Sequence, residues 1–291
     1  MLSTVADREG MIVRDGVHIH WQLFGSGPRV LFLLPTWSIV HSDFWRHQVA
    51  HFRARYSVLT FDGRGNGASD RPTHSAAYAD SEFAQDALAV LDAASIQQAA
   101  AVSASAGAAW GLLLAAGNAE RVPVSVFIAP SLPLSPPLAE RAPALAVFND
   151  EIESSEGWFK FNRHYWRRDY PGFLEFFFAK CFTEPNSSEQ IAHFVEMGLQ
   201  TNAETLLLTV EAPSISTADA IRLAQSLGKH TLVIQGEADA ITPPVRAREL
   251  ARLSRADLVM LPESGHEPQC RDPIRVNALI DSFLDRCWST A

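Results

Sequence analysis

The sequence contains few cysteines, and this scarcity excludes several classes of protein. Its 291 residues include only Cys181, Cys270 and Cys287, and no two of them have CxxC spacing. An odd number of cysteines without that spacing argues against a disulfide framework and against a thiolate zinc site. We therefore expect a protein of a reducing compartment.

The start of the chain lacks the apolar run that a secretory signal requires. Asp7, Arg8 and Glu9 stand within the first residues, where such a signal would need uninterrupted hydrophobic side chains. The sequence therefore predicts a cytoplasmic location.

Positive charge is also scarce. The 24 Lys and Arg residues face 33 Asp and Glu residues, which leaves a net charge of -9 that repels phosphate backbones and anionic membrane surfaces. One stretch, from Asp92 to Glu120, has no charged residue between its ends, but it is rich in Ala, Ser and Gly and includes Gln97 and Gln98. We expect neither a nucleic-acid partner nor a membrane span.

A composition of 47% hydrophobic and 20% charged residues is that of a folded globular protein. Short β-branched runs alternate with longer helical patterns, which predicts a mostly parallel central sheet flanked by helices on both faces, an α/β fold. A hairpin is predicted from Met11 to Phe24, with its turn at Asp15 and Gly16. The other predicted strands are Val30 to Leu34, Ser57 to Phe61, Ala99 to Ala104, Val124 to Ala129, Thr231 to Gln235 and Asp257 to Leu261.

Helical patterns occupy most of the intervals between these strands. The predicted helices are Ser42 to Arg53, Asp80 to Ala94, Gly107 to Ala119, Pro243 to Leu253 and Pro273 to Trp288.

The strand pattern stops between Ser131 and Pro213. We interpret residues 131–213 as an inserted helical cap, with residues 1–130 and 214–291 forming the core domain. Twelve of the 28 aromatic residues of the chain fall between Phe148 and Phe182, which is more aromatic surface than water tolerates. Most of these rings are expected to form the cap's own core, and Trp158, Phe159 and Trp166 are the candidates to line a substrate pocket.

Ser105 is the candidate nucleophile, because it lies where a short strand runs directly into a helix. The tight turn of a nucleophile elbow needs small residues two positions before and after the serine, and Ser103 and Gly107 stand there. Ser103 also fits the spacing, but it would fall inside the strand. The alternative without a nucleophile is a serine that only caps the helix.

A base and a residue that orients it are expected on loops after later strands, in the order serine, acid, histidine. Asp239 follows the strand Thr231 to Gln235, and His266 follows the last predicted strand. Carboxyl ends of strands are where open α/β sheets bind ligands.

These motifs together resemble the α/β-hydrolase superfamily. The segment from Asp62 to Ser69, DGRGNGAS, is similar to the family's D-x-R-G-x-G-x-S loop, and the elbow, acid and histidine loops follow in the family's order. The resemblance implies an oxyanion hole formed by the backbone N–H groups of Trp37 and Ala106. Pro35 and Thr36 depart from the usual His-Gly at that loop.

The resemblance implies a serine hydrolase with a Ser105–His266–Asp239 triad that cleaves a small to medium carboxylic ester or lactone through an acyl-enzyme. No metal or organic cofactor is needed for such chemistry. The alternatives are a carbon–carbon bond hydrolase of a ring-cleavage product and a non-catalytic ligand-binding protein. Glu267 after His266 argues against the carbon–carbon hydrolase, where an aromatic residue is more usual.

A basic cluster in the predicted cap favours the carbon–carbon hydrolase, since a cap arginine could pair with a substrate carboxylate. Its members are Lys160, Arg163, Arg167 and Arg168.

Overall fold

An eight-stranded sheet forms the centre of the molecule in a computed structural model that describes residues 5–288. The strand order is β1-β2-β4-β3-β5-β6-β7-β8, in which the pairs β1–β2 and β2–β4 are antiparallel and every later pair is parallel. The strands are β1 (Arg8–Arg14), β2 (Val17–Phe24), β3 (Val30–Leu33), β4 (Ser57–Phe61), β5 (Ala100–Ala104), β6 (Val124–Ile128), β7 (Thr231–Gly236) and β8 (Asp257–Leu261). The predicted mostly parallel sheet is confirmed.

The hairpin between β1 and β2 is longer than predicted, since it begins at Arg8. Its turn has the predicted residues: Asp15 has φ 52° and Gly16 has φ 79°. Two consecutive positive φ angles are what a two-residue turn of type I′ requires, and Asp and Gly tolerate them best.

Helices cover both faces of the sheet. Those outside the long segment between β6 and β7 are α1 (Arg46–Phe52), α2 (Asp80–Ala93), α3 (Gly107–Gly117), α10 (Pro244–Ser254), α11 (Pro268–Arg271) and α12 (Pro273–Trp288). Alternate strand residues point to opposite faces, so Leu31 and Leu33 pack in the same cluster as Val276 of α12, whereas Phe32 packs with α2. The predicted start at Ser42 is a short 3₁₀ turn that leads into α1.

The segment between β6 and β7 is helical. It contains α4 (Ala142–Ala146), α5 (Arg163–Arg168), α6 (Tyr170–Cys181), α7 (Ser188–Gly198), α8 (Ala203–Val210) and α9 (Thr217–Ser226). Its aromatic rings form one cluster in which Trp166 is fully buried and contacts Phe148, Phe161 and Phe173. The cluster joins the main core through Trp37. The division into a core domain and a cap at residues 131–213 stays a prediction.

The glycine-rich loop after β4 has a structural role. Arg64 is almost fully buried and forms a two-point ion pair with the buried carboxylate of Asp86, at 2.6 and 2.9 Å. The Asp62 carboxylate accepts hydrogen bonds from the backbone N–H groups of Ser42 and Ala68, both at 2.9 Å. These bonds fix the loop at the carboxyl end of β4.

Between residues 5 and 288, no helix combines the length and the apolar character needed to cross a membrane.

Candidate active site

Ser105 occupies the sharp turn between β5 and α3 in a left-handed conformation, with φ 49°. This is an unfavourable region for serine, and residues held in it cluster at functional sites. The turn needs a glycine two residues later, because a Cβ on Gly107 would lie 2.3 Å from the carbonyl oxygen of Pro35. The strand-to-helix geometry expected of a nucleophile elbow is therefore present.

Ser103, the alternative nucleophile, lies inside β5 and is 2% exposed. Its hydroxyl points toward α3, where a Cβ on Gly111 would lie 2.6 Å from it, and donates a long hydrogen bond of 3.4 Å to the carbonyl of Val126. Ser105, in contrast, has its hydroxyl beside an imidazole. The geometry therefore favours Ser105.

His266 connects Ser105 to Asp239. The imidazole Nε2 lies 2.8 Å from the Ser105 Oγ, and Nδ1 lies 2.8 Å from the Asp239 Oδ2. A carboxylate only accepts, so Nδ1 donates to Asp239 and Nε2 accepts from the hydroxyl of Ser105. Asp239 follows β7 and His266 follows β8, so both come from strand ends at the same edge of the sheet.

Asp239 is held by further hydrogen bonds that fix its orientation. Its Oδ1 accepts from the backbone N–H groups of Ile241 and Thr242, both at 2.8 Å, and its Oδ2 accepts from the Gln235 side chain at 2.9 Å. Burial lowers the pKa of His266, but the charge of Asp239 and the hydrogen bond to it outweigh burial and leave this pKa raised. The carboxylate thus stabilises the imidazolium form.

Trp37, in the loop after β3, lines the same cavity as Ser105 and His266. Thr36 anchors this loop by donating a hydrogen bond from its hydroxyl to the carbonyl of Ala104, at 3.0 Å. Within residues 5–288, the N–H groups of Trp37 and Ala106 donate to no protein acceptor. Two unused donors beside Ser105 fit the expected oxyanion hole.

The side chain of Trp37 packs away from this loop into the aromatic cluster. Its indole N–H donates to the hydroxyl of Thr209 in α8, at 2.7 Å, and its ring meets Phe177 of α6 edge to face, at 5.3 Å. The loop after β3 and the helical segment are therefore directly connected.

A cavity of about 20 Å³ lies against Ser105 and His266. This volume holds roughly one water molecule. It is lined by Thr36, Trp37, Ile39, Val40, Ser105, Phe177, Phe178, Phe194, His266 and Glu267.

Trp158, Phe159 and Trp166 do not line this cavity, although the aromatic content of the segment made them candidates. Trp158 lies under the guanidinium of Arg141, 4.4 Å from it, and meets Phe176 edge to face. The aromatic rings beside Ser105 come instead from α6 and α7. No sequence pattern distinguishes the rings of α6 from the others in the segment, because the aromatic run from 176 to 178 occupies more than one face of its helix.

The residues of the basic cluster form ion pairs and cation–π contacts within the helical segment. Arg163 pairs with Glu211 at 2.6 Å, and Arg167 pairs with Glu204 at 2.7 Å. The cations of Lys160 and Arg168 lie over the ring of Tyr165, at 5.6 and 5.2 Å.

Arg141 is a basic residue of this segment whose charge acts on His266, and no sequence motif points to it. Its guanidinium donates to the carbonyl of Ile241, in the loop of Asp239. It forms no ion pair with any residue from 5 to 288, and burial lowers its pKa to about 10. Its charge also lowers the pKa of His266, although other influences on that group are larger.

Glu267 is a further polar residue of the cavity. It is 6% exposed, and its Oε1 lies 3.9 Å from the Nε2 of His266. Burial is the main cause that raises the pKa of this carboxyl to about 7. The sequence showed Glu267 only as a departure from the aromatic residue usual in one subgroup.

A family model described as an alpha/beta hydrolase family matches residues 25–279. This match covers most of the sequence. The chain belongs to the alpha/beta hydrolase family. The resemblance inferred from the motifs is confirmed, and so is the expectation that the protein is an enzyme.

Characterised relatives of this alpha/beta hydrolase include hydrolases of different substrates. It is 24% identical to 3-oxoadipate enol-lactonase 2 of Acinetobacter baylyi over 280 residues, which cover 94% of this chain and 96% of that protein. It is 28% identical to the 2-hydroxymuconate semialdehyde hydrolase of a Pseudomonas species over 276 residues, which cover 90% of this chain and 85% of the other. Hydrolase activity is supported by both.

Solved structures share the whole fold. A putative aryl esterase from Burkholderia cenocepacia superposes with a TM-score of 0.78 at 18% identity, covering 97% of this chain and 100% of the other. The enol-lactonase from Burkholderia xenovorans superposes with a TM-score of 0.76 at 21% identity, covering 95% of this chain and all of the other. At these identities the likeness establishes the alpha/beta-hydrolase fold.

Proposed function

We propose that this alpha/beta hydrolase cleaves a small to medium carboxylic ester or lactone through an acyl-enzyme on Ser105. The observation that carries the proposal is the continuous hydrogen-bonded chain from the Ser105 Oγ through His266 to Asp239, with both bonds at 2.8 Å. Ser105, at one end of this chain of hydrogen bonds, lines a cavity where a carbonyl carbon could meet its hydroxyl. A serine that only capped the helix would need no such partners.

In the first half of the reaction, the Ser105 Oγ attacks the carbonyl carbon and its proton passes to the Nε2 of His266. Asp239 stabilises the imidazolium that forms. The bond between the carbonyl carbon and the leaving-group oxygen then breaks, and His266 gives its proton to that oxygen. The acyl group remains as an ester on Ser105.

The carbonyl oxygen becomes negatively charged in the tetrahedral intermediate. The N–H groups of Trp37 and Ala106 are the proposed donors to it. Because they belong to the main chain, Pro35 and Thr36 can replace the usual loop residues without removing a donor. The loss of one such donor costs about 100- to 1,000-fold in kcat.

Water completes the reaction by attacking the acyl carbon while His266 accepts its proton. The bond from that carbon to the Ser105 Oγ then breaks, and His266 returns the proton to Oγ as the carboxylic acid leaves. The segment of residues 131–213 acts in this proposal as a cap, since Phe177, Phe178 and Phe194 line the cavity beside Ser105. A closed apolar site strengthens the electrostatic contacts inside it.

Carbon–carbon bond hydrolysis is the second candidate. The match to the 2-hydroxymuconate semialdehyde hydrolase supports it, as does the position of Arg141 beside the loop of Asp239 with no carboxylate partner in the described part of the chain. Faster turnover of a dienol acid than of simple esters would place this candidate first. A small apolar acyl compound as substrate, a cytoplasmic location and the lack of a nucleic-acid or membrane partner stay predictions.

Labelling with a fluorophosphonate tests the proposed nucleophile, because only an activated serine reacts quickly. We expect a single adduct on Ser105, located by mass spectrometry, that is absent in Ser105→Ala and retained in Ser103→Ala. An adduct on Ser103, or none in the wild-type protein, would contradict the proposal. With labelling established, a panel of esters, lactones and dienol acids ranks the substrates.

A further inference from the structure

Glu267 is a buried acid in the active-site cavity that the triad mechanism leaves without a role. Its side chain lines the cavity together with Ser105 and His266. Those two residues bind each other, whereas the Oε1 of Glu267 accepts or donates no hydrogen bond within the described residues 5–288. A carboxyl oxygen with no protein partner therefore faces the place where the reacting atoms meet.

A neighbouring side chain fixes the orientation of the Glu267 carboxyl. The Gln269 side chain donates a hydrogen bond to Oε2. Gln269 is itself fully buried, and its carbonyl accepts from the side chain of Gln48 at 2.9 Å. Because Oε2 is held on the protein side, Oε1 stays on the cavity side, 3.9 Å from the Nε2 of His266.

The surroundings of Glu267 favour its neutral form more than water does, and this form predominates below pH 7. Burial raises its pKa to about 7, and the charge of His266 opposes this. Among residues 5–288, His266 is the one basic group within ion-pair distance. The ionisable groups that interact with Glu267 are His266, Asp239, Glu184, Cys181 and Cys270.

We propose that Glu267, in its protonated form, donates a hydrogen bond to the leaving-group oxygen of an ester or lactone held at Ser105. This inference rests on the proposed function. The leaving-group oxygen must approach the Nε2 of His266 to receive its proton, so a carboxyl 3.9 Å from Nε2 is within reach of the same atom.

The step balances without any other reactant. The carbonyl carbon gains a bond to the Ser105 Oγ and loses its bond to the leaving-group oxygen. That oxygen receives the serine proton through His266, while Glu267 keeps its own proton and stabilises the negative charge that develops. An ionised Glu267 would instead repel that charge.

This role of Glu267 defines a class of substrate. A leaving group that forms a strongly basic alkoxide, as in alkyl esters and lactones, needs such a hydrogen bond. A nitrophenolate leaves readily without one. Glu267 is therefore a catalytic residue for alkyl esters and lactones and has little effect on activated aryl esters.

The test compares Glu267→Gln, which keeps a donor and cannot ionise, with Glu267→Leu, which has no donor. Each is assayed on ethyl and p-nitrophenyl esters of one acyl group, chosen from a series of acyl lengths, as kcat/KM between pH 5 and 9. Thermal unfolding confirms that both variants fold.

On the ethyl ester at pH 6, we expect Glu267→Gln to stay within about threefold of wild type and Glu267→Leu to lose about 10- to 100-fold. On the p-nitrophenyl ester, Glu267→Leu should lose less than about threefold. Wild-type kcat/KM on the ethyl ester should fall as pH rises through the pKa of Glu267. In Glu267→Gln this fall should be absent.

Three results would overturn the inference. Equal losses on the two esters would show that Glu267 only supports the fold or the pocket. Inactivation of Glu267→Gln as severe as that of Glu267→Leu would show that the ionised form is needed. No turnover of any ethyl ester, with Ser105 still labelled by fluorophosphonate, would remove the proposed substrate class. An unlabelled Ser105 would instead contradict the proposed function itself.

Discussion

The loops at the carboxyl ends of the strands and the helical segment between β6 and β7 constrain their side chains in different ways. At the strand ends, backbone geometry fixes each residue: Ser105 has φ 49°, and Gly107 has no space for a side chain. In the helical segment, many rings share one cluster, and which ring meets the cavity depends on how the helices pack. Sequence spacing therefore carries more positional information about the first region than about the second.

The largest effect should come from the strand ends. Ser105→Ala removes the proposed nucleophile, and kcat should fall roughly a million-fold, as for a triad acting as one unit. Ser103→Ala is the matched control two residues earlier, and its kcat should stay within a few-fold of wild type. Steady-state kinetics on the best ester checks both. A comparable loss of kcat in Ser103→Ala would contradict this expectation, because the position of a serine at the strand end would then not determine whether catalysis needs it.

The next effect concerns stability in the helical segment. Trp166→Ala empties a fully buried site among aromatic rings, and the free energy of unfolding should fall by about 3–5 kcal/mol. Phe177→Ala removes a ring that lines the cavity, so it should shift the preferred acyl length toward longer chains. Urea unfolding and an acyl-length series measure the two outcomes. A shift in preferred acyl length with Trp166→Ala instead would restore Trp166 as a pocket residue.

Gly107→Ala tests the connection between the elbow and the oxyanion loop. The added Cβ would lie 2.3 Å from the carbonyl of Pro35 and must displace the loop that carries the N–H of Trp37. We expect kcat/KM to fall by about 100- to 1,000-fold, the effect of losing one oxyanion donor. Gly117→Ala, at the end of the same helix, is the control, because its Cβ would meet nothing within 4 Å. Equal activity of the two variants would contradict this reading of the turn.

The smallest effect is a shift in pH dependence. The charge of Arg141 lowers the pKa of His266, so Arg141→Met should raise that pKa. His266 must be neutral to accept the serine proton, and the rise of kcat/KM with pH should therefore move to higher pH. Arg167→Met removes an exposed cation paired with Glu204 and should leave the profile unchanged. Identical profiles for the two variants would show that Arg141 is remote from the triad in solution.

Strand positions, the hairpin turn and the order of the three candidate catalytic residues could be predicted from the sequence, because each depends on local chemistry. Asp15 and Gly16 suit positive φ angles, and β-branched runs suit buried parallel strands. The choice between Ser103 and Ser105 was open from spacing alone. It depends on where β5 ends, which backbone pairing with β6 determines.

The side chains around the candidate site were less predictable. The aromatic content of the helical segment makes Trp158, Phe159 and Trp166 pocket candidates, yet the rings that this segment places at the cavity are those of Phe177, Phe178 and Phe194. Arg141 and Glu267 were not chosen because a lone arginine or glutamate has no sequence pattern. Their roles arise from burial and from neighbours distant in the chain.

The small volume beside Ser105 has a consequence for measured affinity. A space for about one water molecule is smaller than an ester, so we expect binding to displace Phe177, Phe178 or their neighbours. The free energy of that opening is subtracted from every binding constant, and the apparent affinity equals the intrinsic affinity multiplied by the fraction of open molecules. Two esters with equal contacts will be distinguished by how far each forces the aromatic rings apart.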